Sequence, residues 1–240
     1  MRFGKYQGIG NDFVMLADPD DRLEITGSLA RSLCDRRFGI GADGVIRVAP
    51  SERADLFMDY VNSDGSIGEM CGNGIRCLAI FAREQGMTDR MELSVDTRAG
   101  IKKVSVLSEG SVRVDMGPPA FAPAEVPVEW PGPHALHAKV ELDDGVVEVA
   151  CVSMGNAHAV SFVEDPDAIA VDVLGPRIET HRMFPKMANV EFAVVERPDR
   201  VRMRVWERGS GQTLACGTGA CAVAVASRLL RDTDERVTVA

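Results

Sequence analysis

Cys71-Gly72-Asn73-Gly74 and Cys216-Gly217-Thr218-Gly219 are two versions of one short motif, separated by 145 residues. The same offset relates further residues in the two halves of the chain: Gly10-Asn11 to Gly155-Asn156, Arg37 to Arg182, Val45 to Val190, and Met58 to Met203. A single offset that aligns Cys, Gly and Asn at loop positions is typical of an internal duplication rather than of chance. The two motifs therefore predict a fold built from two similar halves.

Apolar runs typical of strands recur in both halves, each bounded by Gly, Pro, Asn or Asp. They lie at residues 13–16, 44–48 and 56–61, and again at 159–163, 190–195 and 201–206. A helix is predicted after each Cys-Gly motif because apolar residues recur there at helical spacing, and further helices are predicted at 28–37 and 171–182. Many strands and few helices indicate an α+β fold of two pseudo-symmetric lobes.

A proline-rich stretch from Gly117 to Pro133 separates the two halves. It predicts a first lobe at residues 1–117, which carries Cys71, and a second lobe at residues 118–240, which carries Cys216. The first lobe continues through strand-like residues 101–107 and 112–116, whose repeat equivalents would lie after Ala240. We therefore expect the second lobe to be truncated by about two final strands relative to the repeat it copies.

Composition narrows the class of protein. With 45% hydrophobic residues, the chain has the composition of a globular protein. Its net charge of -9 argues against a nucleic-acid partner. Because it has neither a signal peptide nor an apolar run long enough to cross a membrane, we expect a cytoplasmic protein without a membrane partner. The six cysteines form no Cys-x-x-Cys pair, and the four histidines lack the spacing of a zinc site, so no metal is expected.

The Cys-Gly motif has a specific chemical use. A cysteine at a helix N-terminus lies at the positive end of the helix dipole, which is expected to lower its pKa, and the amides that follow can hold a carboxylate. Two such motifs facing one ligand would place a thiol on each side of it. Inverting a stereocentre next to a carboxylate needs a base on one face and an acid on the other. We therefore predict that Cys71 and Cys216 act as a thiolate and thiol pair.

For other polar residues the pattern alone leaves a structural role open. Asn11, Asn62, Asn156 and Asn189 lie beside a glycine or at a strand end, where turn chemistry favours asparagine. His158 by itself is more often a hydrogen-bonded core residue. The remaining cysteines are interpreted as packing residues: Cys34, Cys77, Cys151 and Cys221.

Several segments together resemble the diaminopimelate epimerase family, in family order and over nearly the whole chain. They are residues 8–13, 39–44, 71–77, 155–158, 189–192, 207–209 and 215–219. The resemblance implies the fold of that family and the epimerisation of LL-2,6-diaminopimelate to meso-diaminopimelate, in lysine and peptidoglycan precursor biosynthesis. It also implies that neither pyridoxal phosphate nor another cofactor takes part.

The resemblance assigns roles residue by residue. Cys71 and Cys216 match the two acid/base cysteines, and His158 and Glu207 match residues that tune their pKa values. The substrate-binding positions are Asn11, Asn62, Gly72, Asn73, Asn156, Asn189, Glu207, Arg208, Gly217 and Thr218. Two features depart from the family: Gly44 stands where glutamine is frequent, and the tail that supports a homodimer in the family has no counterpart after Ala240.

Two alternatives of different kinds stay open from the sequence. A proline or hydroxyproline-type racemase would act on a monocarboxylate and leave Arg208 without a partner. A non-catalytic amino-acid-binding module would use the amides of the motifs but not their thiols. A redox protein is disfavoured because no Cys-x-x-Cys pair is present.

Overall fold

The structure is a computed structural model that describes residues 2–240. The chain divides into two compact units, Met1–Met116 and Gly117–Ala240. Among the described residues, none of the helices is both long and apolar enough to cross a membrane. Each unit is built on one sheet.

The first unit has an eight-stranded sheet and two helices. Its elements are β1 (Gly4–Gly8), β2 (Asn11–Ala17), α1 (Gly27–Cys34), β3 (Gly44–Ala49), β4 (Leu56–Asn62), β5 (Ile67–Gly68), α2 (Gly72–Glu84), β6 (Glu92–Thr97), β7 (Gly100–Val106) and β8 (Val112–Asp115). The strand order is β1-β2-β3-β4-β6-β7-β8, with β5 paired to β4. The β2–β3 and β4–β6 pairs are parallel and the others are antiparallel.

Strand β2 is buried on both faces because a helix covers each side of the sheet. Phe13 and Met15 pack in the cluster that contains Ile75 and Leu78 of α2. Val14 and Leu16 point the other way, into the cluster that contains Ala30 and Cys34 of α1. This arrangement explains why residues 13–16 form a continuous apolar run instead of an alternating one.

The second unit repeats this plan with a seven-stranded sheet. Its elements are β9 (Ala138–Leu142), β10 (Gly145–Ser153), β11 (Ala157–Phe162), a short 3-10 helix (Pro166–Ala168), α3 (Val171–Glu179), β12 (Asn189–Arg197), β13 (Arg200–Glu207), β14 (Gly211–Thr213), α4 (Gly217–Leu230) and β15 (Thr238–Val239). The strand order is β14-β13-β12-β11-β10-β9, with β15 parallel to β13.

Strand pairing preserves the 145-residue offset. Phe13 lies opposite Gly44 in the β2–β3 pair, and His158 lies opposite Asn189 in the β11–β12 pair. Likewise, Val45 pairs with Val61 and Val190 pairs with Trp206. The α+β class predicted from the sequence is confirmed. Strand β15 takes the place of β6: it pairs in parallel with β13, as β6 pairs in parallel with β4.

Two predicted helices end earlier than the sequence pattern indicates. Helix α1 ends at Cys34 and not at Arg37, because the Asp35 carboxylate accepts hydrogen bonds from the backbone N–H groups of Arg37 and Phe38 at 2.8 and 2.7 Å. Helix α3 ends at Glu179 and not at residue 182. In both places the residues between the observed and the predicted helix end are polar or charged, at 35–37 and at 180–182, so no apolar side chain there packs on the core.

Gly74 provides a test of how α2 packs on the sheet. A Cβ atom there would lie 2.5 Å from Ile46 Cδ1 and 3.0 Å from Met58 Cε. Gly74→Ala should therefore lower the free energy of unfolding by about 1–3 kcal/mol, in spite of the better helix propensity of alanine. Ile46→Val removes Cδ1. It should therefore lower the free energy of unfolding less in the Gly74→Ala background than in the wild type.

Urea unfolding of the four proteins in this double-mutant cycle measures the coupling. Gly145→Ala serves as the control, because a Cβ atom at Gly145 meets nothing within 4 Å. Strictly additive effects of the two substitutions would contradict the proposed contact.

Candidate active site

Cys71 and Cys216 cap the N-termini of α2 and α4. Each cysteine has extended backbone geometry, and its Sγ accepts a hydrogen bond at 3.4 Å from the backbone N–H three residues on, at Gly74 and at Gly219. The side chain thus satisfies one free amide of the first turn. Both motifs start a helix, as their spacing predicts.

In the first unit, Asn11 lies beside the cysteine. The Cys71 thiol contacts Asn11 Oδ1 at 3.6 Å, and Asn11 Nδ2 donates to Asp43 Oδ2 at 2.8 Å. The other oxygen of Asp43 pairs with Arg36 at 2.8 Å. Asp43 therefore fixes which way the Asn11 amide points.

The other predicted residues of the first unit have internal partners. Asn73 is buried, and its Oδ1 accepts from the Arg76 guanidinium at 2.6 Å. Asn62, at the end of β4, donates from Nδ2 to Ser66 Oγ at 2.9 Å. These contacts fix the orientation of both side-chain amides.

A local contact explains why residue 44 is glycine, where the family resemblance leads one to expect glutamine. A Cβ atom at this position would lie 2.5 Å from Cε2 of Tyr60 and 2.9 Å from the Val61 carbonyl oxygen. The Tyr60 ring occupies the space that a side chain at position 44 would need. Glycine at 44 and tyrosine at 60 are therefore matched in this chain.

In the second unit a chain of hydrogen bonds leads to Cys216. The Sγ atom lies 3.3 Å from Thr218 Oγ1, which accepts from Asn156 Nδ2 at 3.3 Å. Asn156 Oδ1 lies 2.9 Å from His158 Nε2, and His158 Nδ1 lies 2.7 Å from Glu191 Oε1. His158 and Glu191 are fully buried. The sequence-predicted residues Asn156, His158 and Thr218 thus form one network with Cys216.

Glu207 adds a second carboxylate beside this cysteine. Its Oε1 accepts from the Thr213 hydroxyl at 2.5 Å, and the carboxylate also hydrogen-bonds with the Cys216 thiol. Burial raises the pKa of Glu207, while the hydrogen bonds from Thr213 and Cys216 act in the opposite direction.

The expectation that the helix dipole lowers the pKa of the thiol is wrong for Cys216. Burial, followed by the negative charges of Glu207 and Glu191, raises the pKa of Cys216 well above its ordinary value. The hydrogen bonds from Thr218 and from the Gly219 amide only partly oppose this. Burial and the two carboxylates thus both favour the thiol form of Cys216.

Asn189 and Arg208 lie together at the ends of β12 and β13. Asn189 is buried, donates to the Ala157 carbonyl at 2.9 Å and accepts from the Arg208 backbone N–H at 3.0 Å. The Arg208 guanidinium donates to the Lys186 carbonyl at 3.3 Å. Asn189 therefore fixes the backbone from which the Arg208 side chain extends.

Sequence reasoning assigned no role to three carboxylates that support these residues: Asp43, Glu179 and Glu191. Glu179 accepts from the Gly209 amide at 2.8 Å and from the Trp206 indole at 2.6 Å, so it holds the loop that carries Arg208. A signal existed for Glu191, because a charged residue interrupts the apolar run of β12. Glu179 carries no comparable signal in the sequence.

Among residues 2–240, no cluster of three or more His, Cys, Asp or Glu side chains could hold a metal ion.

Comparison with known proteins identifies relatives of this chain. The sequence profile of diaminopimelate epimerase matches residues 3–122 and 150–240. The diaminopimelate epimerases of Moorella thermoacetica and Acetivibrio thermocellus are 48% and 45% identical to it, and the alignments cover 100% of this chain and 88% and 87% of those proteins. A hydroxyproline epimerase from Agrobacterium vitis, solved with trans-4-hydroxy-L-proline bound, shares the fold with a TM-score of 0.66 at 18% identity. That alignment covers 97% of this chain and 78% of that structure.

Burial makes three thiols slow to react in the folded protein. Burial, then the charges of Asp12 and Asp43, raise the pKa of Cys34 to about 11, and burial raises that of Cys151 to about 12. At pH 8 the thiolate fraction of Cys34 is about one thousandth, and alkylation requires the thiolate. We expect Cys34, Cys151 and Cys216 to be alkylated by iodoacetamide much more slowly than in unfolded protein.

Peptide mass spectrometry after timed labelling, with a urea-unfolded sample as the control, measures the rate at each site. Rapid labelling of Cys216 at pH 8 in the folded, substrate-free protein would contradict the burial and charge described for it.

Proposed function

The chain belongs to the diaminopimelate epimerase family and catalyses the epimerisation of LL-2,6-diaminopimelate to meso-diaminopimelate, and we propose that Cys71 and Cys216 are its two proton-transfer groups. The observation that carries this assignment is the repeat itself. Both units present a cysteine as the cap of a helix, at matching positions of a sheet with matching register. A reaction that treats the two faces of one carbon needs two such groups.

The reaction proceeds by transfer of two protons. The thiolate of one cysteine removes the proton from the α-carbon, so that the C–H bond breaks and an S–H bond forms. The thiol of the other cysteine then donates its proton to the opposite face of the carbanion and becomes the thiolate. In the reverse direction the two cysteines exchange roles, so their protonation is a property of the pair.

Backbone amides next to each cysteine supply the electrostatic support. As the proton leaves, negative charge spreads from the α-carbon onto the adjacent carboxylate. We propose that the amides of Gly72, Asn73, Gly217 and Thr218, in the first turns of α2 and α4, stabilise this charge. The glycines allow the carboxylate to approach the backbone closely.

Side chains at the strand ends provide the recognition of the distal amino-acid group. We propose that the Arg208 guanidinium binds the distal carboxylate in a bidentate manner, with Asn62, Asn189 and Glu207 as further polar partners. Asn11 and Asn156 hold repeat-equivalent positions beside the two cysteine loops and complete the set.

Only the shared fold supports the alternative of a proline or hydroxyproline-type racemase. The hydroxyproline epimerase shares the architecture at 18% identity, whereas the diaminopimelate epimerases are 45–48% identical over the whole chain. Diaminopimelate has a second charged amino-acid group, which gives Arg208 a partner that proline lacks.

The setting of the enzyme follows from its reaction, which belongs to lysine and peptidoglycan precursor biosynthesis. We propose that the enzyme is cytoplasmic and acts on its small-molecule substrate without a nucleic-acid or membrane partner, which agrees with the net charge of -9. The family resemblance adds a homodimer to this proposal.

Replacing either cysteine tests the two-base assignment. Cys71→Ala and Cys216→Ala should each lower the rate of epimerisation by about 10²–10⁴-fold, because each removes a positioned proton-transfer group. The appearance of the other stereoisomer of LL- or meso-diaminopimelate with solvent deuterium at its α-carbon, followed by NMR under reducing conditions without added cofactor, measures the rate. Cys221→Ala, a substitution within α4, is the matched control and should stay active. Full activity in either of the first two variants would exclude the assignment.

Arg208→Ala tests the identity of the substrate. Loss of a charge-assisted contact to the distal carboxylate should raise KM for diaminopimelate by about 10–100-fold, with a smaller effect on kcat. Steady-state kinetics with diaminopimelate and with L-proline distinguish the two readings. An unchanged KM for diaminopimelate, together with turnover of proline, would favour the racemase alternative.

A further inference from the structure

The two halves differ in what lies beneath the start of the cysteine-bearing helix. The repeat places Ile46 of β3 at the position of Glu191 of β12. A Cβ atom on Gly74 would lie 2.5 Å from Ile46 Cδ1, and one on Gly219 would lie 2.6 Å from Glu191 Oε1. The same contact between helix and strand is therefore apolar in the first half and ionisable in the second.

The neighbouring positions differ in the same way. Phe13, buried in the core below α2, corresponds to His158, and Asn62 corresponds to Glu207. In the first half, the carboxylate that supports Asn11 belongs to Asp43 and is paired with Arg36. Two carboxylates thus distinguish the Cys216 side from the repeat-equivalent positions on the Cys71 side.

Packing alone does not explain Glu191. Its side chain has no exposed surface, and its Oε2 accepts no hydrogen bond from any group in residues 2–240. Burying a carboxylate oxygen without a partner is unfavourable, and Ile46 shows that an apolar side chain fits under the equivalent helix. A buried ionisable group retained at such a position is a candidate for a functional role.

Glu191 is connected to the thiol by charge and by hydrogen bonds. The carboxylates facing Cys216 are Glu207 from β13 and Glu191 from β12, and both raise the pKa of the thiol. His158 of β11 holds Glu191 at 2.7 Å. Its other ring nitrogen leads through Asn156 and Thr218 to the sulfur.

We propose that Glu191 is a positioning residue that keeps Cys216 in the thiol form in the substrate-free enzyme. The two cysteines then differ in protonation before substrate binds, and Cys216 donates its proton in the direction in which Cys71 is the base. This inference rests on the proposed roles of the two cysteines. It adds that their difference is built into the scaffold before substrate binds, through a residue that does not touch substrate.

The pH dependence of alkylation at each cysteine tests this directly. In substrate-free wild-type enzyme, Cys71 should react with iodoacetamide at lower pH than Cys216. Glu191→Gln keeps the size of the side chain and removes the charge. It should lower the midpoint pH of Cys216 alkylation by about one unit, which is roughly a tenfold faster rate at a fixed pH below the midpoint. The Cys71 profile should stay unchanged.

Two further variants complete the experiment. Glu196→Gln removes a carboxylate from the same strand, where Glu196 pairs with Arg200 and Arg202 at the surface, and should leave both profiles as in the wild type. His158→Phe combined with Glu191→Ile places the side chains of the first half in the second, and should also lower the Cys216 midpoint. This apolar pair keeps the test decisive if Glu191→Gln does not fold, as judged by circular dichroism.

A folded variant without the Glu191 charge and with a wild-type Cys216 midpoint would overturn the proposal. So would equal shifts at both cysteines, or a wild-type Cys71 that needs higher pH than Cys216. The measurement uses no substrate, so its failure is distinct from a failure of the proposed residue roles, which would appear as undiminished epimerisation in the cysteine variants.

Discussion

The site in each unit depends on one contact, the seating of a helix N-terminus on a central strand. The cysteine caps the helix through its sulfur, and the glycine three residues later brings the first turn against the strand side chain below it. A Cβ atom at Gly74 would lie 2.5 Å from Ile46 Cδ1, and one at Gly219 would lie 2.6 Å from Glu191 Oε1, so a larger residue would force the turn or the strand side chain to move. The capped first turn fixes the sulfur and the neighbouring amides relative to the sheet, which makes their chemistry reproducible in both halves.

The duplication preserved this geometry while the side chains beneath it diverged. The first unit supports its helix with Phe13 and Ile46, which contribute only packing. The second unit supports its helix with His158 and Glu191, and a buried pair of this kind contributes little net stability compared with apolar residues of similar size. This buried pair lies in the second unit, where another carboxylate, that of Glu207, also contacts the sulfur of Cys216. On the role proposed for Glu191, the buried pair controls the protonation of one cysteine instead of adding to stability.

The sequence predicts the scaffold better than it predicts the electrostatics. The offset of 145 residues is enough to identify the paired strands and both helix-capping cysteines, because they recur at equal spacing. It does not reveal that Asp35 ends α1 or that burial reverses the expected pKa shift of Cys216. The raised pKa of Cys216 arises because β12 and β13 bring Glu191 and Glu207 against the start of α4. Local pattern contains no information about such contacts.

A raised thiol pKa at Cys216 suits both of the roles proposed for it, as proton donor and as base. The α-proton of an amino acid is only weakly acidic, so a base of ordinary thiol strength removes it with a large unfavourable free energy. In the proposed reaction, once Cys216 has given its proton to the carbanion, its thiolate lies beside Glu207 and Glu191 and is a stronger base than an ordinary thiolate. In the reverse direction this basicity favours proton removal, since proton transfer improves as the pKa values of donor and acceptor approach each other. The same carboxylates that keep Cys216 protonated at rest therefore strengthen it as a base when the direction changes.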